Sequence, residues 1–474
     1  MNAAATASSR SGRAIVIGGS LAGVLAAQAL SQYTEVIVIE RDDLPEGPEP
    51  RTGLPQAHHT HMLWSGGAEA IEKLLPGTLK ALQAAGAHRI PLTTGMVAYS
   101  AKGWYRRWSP SHYAITCSRD LLDSVIRAQV LSHGAGRITL MQNTTVLALT
   151  GTAEAITGVS IRRADGEEDT LLADLVIDAS GKGSHTPKWL AELGAPQPAT
   201  REVDSGLVYA SRLYQAPAGL PDEWPVVNVQ PDPRADEPGQ LGVILPIEKG
   251  RWLVTLAGTR GGQPTRDPDD FQSFALGLRH PLVGELIEHA EPLTPVQVTH
   301  MTANRRRFYE KTPMPDNLLV LGDALAAYNP TYGHGMSVAA QSAVTLGETI
   351  QRRGWRSAHL AQHIQKAVTR HVNVAWTFAT GTDVFYPGAV ENGPTAGERL
   401  AARFVDRLSY TATGSGRVAR ALTDVMTLQA GPETLMRPST LIAALCGPLK
   451  PQLVEPPLTA AERHALSSAI QTPA

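Results

Sequence analysis

The apolar pattern begins with a short β-branched run, Ala14 to Ile17, followed by closely spaced glycines and a small-residue run from Val24 to Leu30. A second apolar run, "TEVIVIE", returns and ends at Glu40. Strand, glycine turn, helix and second strand make a βαβ unit. The stretch from 14 to 30 carries no charge, but it is shorter than the ~20 residues a membrane-crossing helix needs. No membrane segment is expected.

Further along, the period changes. "SGLVYASRLY", "LGVILPIEKGRWLVTLAG" and "PVQVTHMTANRRRFY" alternate with period two, which predicts half-buried antiparallel strands, with Glu248, Lys249 and Gly250 as a hairpin turn. The proline-rich stretch 216–240 reads as loop at the sheet's edge. From Gly335 the pattern is helical to the end, interrupted at Gly381, Pro387 and Gly388. Trp376, Phe378, Phe385 and Tyr386 in that region are either a pocket lining or plain core.

Composition narrows the function. With 474 residues, 43% hydrophobic and 18% charged, the chain can bury the cores of two or three domains. A net charge of -2 and a pI near 6.7 give no basis for nucleic acid or an anionic membrane as partner, so small-molecule chemistry is favoured. Cys117 and Cys446 stand far apart with no CxxC or Cys/His spacing, and "MNAAATASSRSGR" lacks the apolar core of a signal peptide. A cytoplasmic protein is expected.

The βαβ unit carries a candidate nucleotide site at Gly18, Gly19, Ser20, Leu21, Ala22 and Gly23. In a dinucleotide fingerprint the first glycine makes the turn, the second admits the pyrophosphate, and the third lets helix and strand pack closely. Gly18 and Gly23 fit, and Ser20 stands in the second glycine's place, with a hydroxyl able to bond a phosphate. Glu40, followed by Arg41, is the acid expected at a ribose. This pattern alone does not separate FAD from NAD.

A second candidate lies late in the chain. "NLLVLG" feeds "GDALAAYNPTYGHGM" (322–336), which sets Asp323 at the tip of a buried strand ahead of a glycine-bracketed turn into a helix. Strand tips and helix starts are where open α/β sheets hold phosphates and cofactors. His58, His59 and His61 cluster elsewhere, but no carboxylate or cysteine is spaced to complete a metal site. His59 and His61 would share one face of a strand.

The late segment resembles the FAD-closing segment of flavoproteins of the aromatic-hydroxylase and squalene-epoxidase type, with Gly322, Asp323, Pro330, Gly333, Gly335 and Met336 at matching spacing. That resemblance implies that Asp323 holds the ribityl chain and that the helix starting near Gly335 points N–H groups at the pyrimidine edge of the flavin. "CSRDLL" resembles the segment whose arginine touches FAD, which implicates Arg119, and Val146 in "NTTVLALT" matches the strand residue at the adenine. The bland alternatives are a surface salt bridge for Arg119 and plain core for Val146. In "VIDASGKGSHTPKWL", Ser180 stands where aromatic hydroxylases carry an Asp implicated in pyridine-nucleotide handling, with Gly181 and Ser184 kept and Lys188 beyond.

"RTGLPQAHHTHMLWSGG" resembles the cofactor-side loop of polyether-ionophore epoxidases of lasalocid and monensin type, which implicates Arg51 and Gln56. The resemblance runs over nearly the whole chain, through to "VEPPLTAAE". It implies an α/β fold: a Rossmann-like, GR2-type FAD-binding domain (13–75, 110–200 and 300–345), an inserted antiparallel β-sheet substrate domain (76–109 and 201–299), and a C-terminal helical region (346–474).

The implied activity is an FAD-dependent monooxygenase that epoxidises carbon–carbon double bonds of a linear polyene polyketide, free or carrier-bound, through a flavin C4a-hydroperoxide, in polyether antibiotic biosynthesis. O2 is the co-substrate, electrons come from NADPH or a separate flavin reductase, and no side-chain acid or base is required. A phenol hydroxylase, and a flavin-dependent alkene reductase or carrier, stay open as alternatives. The Trp-x-Trp-x-Ile-Pro element of flavin halogenases is absent, as are a serine nucleophile elbow and HExxH.

Overall fold

The computed structural model describes residues 12–221, 223–300 and 303–471; the N-terminal segment read above lies largely outside them. Five parallel strands form the central sheet, in the order Leu318–Val320, Leu175–Asp178, Arg13–Ile17, Glu35–Ile39 and Ile138–Met141. Their near-continuous β-branched and leucine runs are those of strands buried on both faces. Helix Leu21–Ser31 packs against helices Arg119–His133 and Gly335–Arg353. Its alanines allow close approach, and all but one of its residues are buried. A three-stranded meander, Thr145–Gly151, Ile156–Arg162 and Glu168–Leu172, adds Leu149, Ile156, Val159 and Ile161 to the same core.

The other large sheet has eight strands, mostly antiparallel. Val208–Gln215, Arg251–Gly258 and Gln240–Ile247 lie side by side, and the hairpin turns at Lys249 and Gly250, both with positive φ. Helices Pro268–Leu276 and Leu282–Ile287 cover one face, where Phe271, Leu282, Val283 and Leu286 pack with Val254, Leu256 and Ile244. The opposite face carries Tyr209, Ser211 and Thr255, and it meets the loop 55–61 and the turn that follows Asn329.

Three expectations need correction. The stretch 216–240 is not all loop, because Val226–Val229 is a strand inside the sheet, between Gln240–Ile247 and Met96–Ser100, and it runs parallel to the latter. The five residues between Pro225 and Pro231 are too few to display a period, yet Val226, Val227 and Val229 are fully buried. "PVQVTHMTANRRRFY" is two strands, with Gln297–Thr299 in the eight-stranded sheet and Asn304–Arg307 in a separate sheet with Thr200–Val203 and Ala326–Ala327. Gly381 does not interrupt its helix, since Leu360–Asp383 runs through it; a single glycine costs only ~1 kcal/mol in a helix.

Helices Ala396–Ala412, Gly416–Met426, Pro438–Cys446 and Ala460–Gln471 complete the chain. Phe378 packs near His334, while Phe385 and Tyr386 join a small cluster with Val203 and Val384. Phe378 and the pair Phe385 and Tyr386 thus sit in separate apolar clusters. Among the described residues no helix is long and apolar enough to cross a membrane.

Candidate cofactor site

The first strand ends at Gly18, whose φ of +102° turns the chain into helix Leu21–Ser31; a Cβ there would lie 2.6 Å from Ala179 O. A Cβ on Gly23 would lie 1.8 Å from Gly18 O, so only glycine lets helix and turn meet. Ser20 is the N-cap without using its side chain as a cap, and the first helical turn holds no acid. The first N–H groups of that turn therefore keep their partial positive charge.

Glu40 stands at the end of the second strand with both oxygens engaged. Oε2 accepts the Gly19 N–H at 2.8 Å and Oε1 the Asp42 N–H at 3.1 Å. Arg51 lies across this acid, with Nη2 3.1 Å from Glu40 Oε2 and Nη1 donating to Ser20 Oγ at 3.2 Å. Arg51 Nη1 also lies 3.9 Å from Asp123 Oδ2, and Asp123 Oδ1 accepts from Arg119 Nε at 2.8 Å. Ser118 caps the helix that presents Arg119 and Asp123 one turn apart, its Oγ accepting the Leu121 N–H. Arg51 and Arg119 are buried arginines, yet the two Nη atoms of Arg119 bond nothing among the described residues. The terminal guanidinium is thus free for a ligand.

The other predicted residues fall around this chain. Gln56 is half-buried in the turn Pro55–His58. Val146 is half-buried and follows Thr144, whose N–H bonds Glu40 O at 3.0 Å. Arg41 is not gathered in: its side chain is 69% exposed and pairs with Asp42.

The late segment approaches the same place. Gly322, at φ +61°, brings the chain against the first helix, where a Cβ would lie 2.8 Å from Ala22 Cβ. Asp323 follows, and a Cβ on Gly335 would lie 3.9 Å from its Oδ1, so acid and helix start adjoin. Asp323 is reached by solvent, yet enclosing protein raises its pKa while Lys182, Arg119 and Arg305 pull it back. Gly333, at φ +65°, passes under Trp64, whose Nε1 donates to Tyr332 O at 3.2 Å. Pro330 is exposed, and Met336 is buried with Leu25 and Leu63.

The three histidines part company. The strand predicted for His59 and His61 starts only at Met62. His58 is exposed. His59 is buried between Ser211 Oγ at 2.7 Å and Thr299 Oγ1 at 2.8 Å, and burial lowers its pKa to about 4. His61 Nδ1 donates to His59 O, and burial, followed by the charge of Arg119, lowers its pKa to about 3. Among the described residues no three His, Cys, Asp or Glu side chains are grouped to hold a metal.

Sequence reasoning passed over several residues. Asp178, two places before Ser180, is fully buried and accepts from Ser180 N and Oγ, Ser184 Oγ at 2.5 Å and Thr186 Oγ1 at 2.6 Å. The hydroxyl-rich stretch after Asp178 was its available signal. Asp123 was legible as the i+4 partner of Arg119. Lys182 and Arg305, brought beside Asp323 from distant segments, left no signal.

Two glycine turns, two uncapped helix starts, an arginine with free donors and a solvent-reached acid beside the second helix start describe a binding site for a dinucleotide. Residues 12–376 match the family described as FAD binding domain. The chain belongs to this family of FAD-binding flavoproteins, within the aromatic-hydroxylase-like monooxygenase superfamily. It is similar to Rv3254 of Mycobacterium tuberculosis, at 30% identity over 80% of this chain and 82% of that protein. It is also similar to kynurenine 3-monooxygenase of Salinispora arenicola, at 26% identity over 78% of each. Among solved structures, a flavoprotein/dehydrogenase from Cytophaga hutchinsonii superposes with a TM-score of 0.63 at 14% identity, covering 91% of this chain and 96% of that one. The flavin-dependent halogenase CmlS gives 0.63 at 18% identity, covering 98% and 77%. At such identities the likeness is one of fold.

Proposed function

We propose that this flavoprotein monooxygenase is an epoxidase acting on carbon–carbon double bonds of a linear polyene polyketide in polyether antibiotic biosynthesis. The observation that carries the reading is that the imidazoles of the cofactor-side loop are already engaged, His59 between the Ser211 and Thr299 hydroxyls and His61 Nδ1 on His59 O. His61 and His59 are held to about 3 and about 4, so neither takes a phenol proton effectively near neutral pH. An alkene offers no such proton and needs no base.

Bound FAD, once reduced, supplies the activation of O2. The chain's residues do the holding. The turn Gly18–Gly23 and the N–H groups of Leu21 and Ala22 would take the diphosphate, Glu40 the adenosine ribose, and the backbone of Val146 the adenine. Arg51, Gln56 and Arg119 would flank the cofactor, Asp323 would bond the ribityl chain, and Gly335 and Met336 would turn N–H groups to the pyrimidine edge, shaped by Pro330 and Gly333. Reduced flavin is negative at that edge, and a helix start favours negative charge by ~0.3 to 2 kcal/mol.

The substrate would meet the same sheet face beyond Tyr209, Ser211 and Thr255, which the loop 55–61 and the turn after Asn329 cover, at the half-buried Val243 and Leu213. A polyene has few polar handles and must be gripped by buried apolar area at ~25 cal/mol per Å2. Electrons would come from NADPH or, because Ser180 replaces the usual Asp, from a separate reductase.

The test is a substrate panel offered to holoenzyme with NADPH, alone and with a flavin reductase. Epoxide formed from linear polyenes, with phenols inert, is the expected result. Turnover confined to phenols would make the chain a hydroxylase, and a product gaining two hydrogens would make it a reductase.

A further inference from the structure

Asp383 is the last residue of helix Leu360–Asp383, and its side chain is 2% exposed. Oδ2 accepts from Asn304 Nδ2 at 2.7 Å and from Asn329 Nδ2 at 2.8 Å, while Oδ1 accepts from the Tyr332 hydroxyl at 2.8 Å. These partners come from a strand, from the turn after Asp323, and from the end of that turn.

The amide orientations are fixed by backbone donors that cannot accept. Asn329 N–H donates to Asn304 Oδ1 at 2.7 Å, and Thr331 N–H to Asn329 Oδ1 at 3.0 Å. Both Nδ2 groups must then point at Asp383. Tyr209, from the substrate-facing sheet, donates its hydroxyl to Asn329 Oδ1 at 2.9 Å and lies 2.7 Å from Thr331 Oγ1. Burial raises the carboxyl pKa, and the bonds from Asn329, Tyr332 and Asn304 offset it. A side chain that receives three donors and offers none suits an acceptor-only carboxylate, and such bonds are about twice as strong as neutral ones.

We propose that Asp383 is a positioning residue that fixes the turn Asn329–Gly333, and through it places Pro330 and the start of helix Gly335–Arg353 against the cofactor. Its position far along the chain lets the C-terminal helices and the substrate-facing sheet share one anchor with the cofactor turn. The inference rests on FAD binding and is independent of which substrate is oxidised.

The test is FAD titration of apoprotein by flavin fluorescence, with visible circular dichroism of the bound flavin and thermal melts of the apoprotein. Asp383→Asn removes the charge and, with its one oxygen kept for the two amides, turns its NH2 toward the Tyr332 hydroxyl, which can no longer donate there. It should raise the FAD dissociation constant about tenfold and alter the flavin dichroism, and Tyr332→Phe should do the same about threefold. Parental affinity and dichroism in both variants, with only the apoprotein melt lowered, would reduce Asp383 to a core residue. If Asp383→Asn does not fold, Tyr332→Phe decides alone by the same two readouts.

Discussion

Arg51 and Glu40 form a buried ion pair across the first glycine turn, 3.1 Å apart, with side chains 4% and 8% exposed. The pair also reaches Ser20 on one side and Asp123 on the other. It therefore ties the cofactor-side loop to the fingerprint and to the helix carrying Arg119.

Replacing Arg51 by Gln leaves Glu40 buried without its cation, while Asp123 keeps Arg119. Breaking a buried pair from one side costs about 3 to 5 kcal/mol. We expect a markedly lower melting temperature and little retained flavin, with scant dependence on salt because the pair is shielded from solvent. An unchanged melt with full flavin would show that Arg51 only fills space.

Asp323 separates binding from stability. Its bonds to the ribityl chain would be charge-assisted and worth about 1.5 to 3 kcal/mol, so Asp323→Ala should weaken FAD binding about 10- to 100-fold. The protein enclosing this solvent-reached carboxyl raises its pKa without ligand, so the acid favours the fold below its ordinary value of 3.8 and that contribution is lost as pH rises through the raised value. Asp323→Asn apoprotein should then melt higher than the parent near neutral pH, with the gain vanishing below the ordinary value. Melting curves of apoprotein across pH, beside FAD titrations, check both halves.

Much of this site was legible before the fold. Gly23 was expected to be the close contact and is one, and Glu40 and Asp323 stand at strand ends as the apolar runs foretold. Asp123 could be read from helical spacing. What escaped is pairing over distance: His59 meets Ser211 across 152 residues, and Asn304 meets Asp383 across 79. Periodicity reports which face a residue occupies within its own element, not which polar partner the topology will deliver. Val226–Val229 escaped because prolines cut the strand too short to show a pattern.

The buried imidazoles predict an acid-sensitive fold. His59 and His334 are held near 4, well below the ordinary 6.5, chiefly by burial. Neutral imidazole is favoured in the fold, so stability present above 6.5 is lost as pH falls toward 4. His334→Gln and His59→Asn should each flatten the fall in melting temperature across that window. Parallel curves for parent and variants would contradict the assignment.

The proposed reaction transfers one atom of O2 to an alkene. The measurement is mass spectrometry of a linear polyene polyketide incubated with holoenzyme, reductant and 18O2. We predict an epoxide carrying a single label from O2 per alkene attacked, and none from labelled water. Label from water, or a product with two added hydrogens and no oxygen, would contradict it.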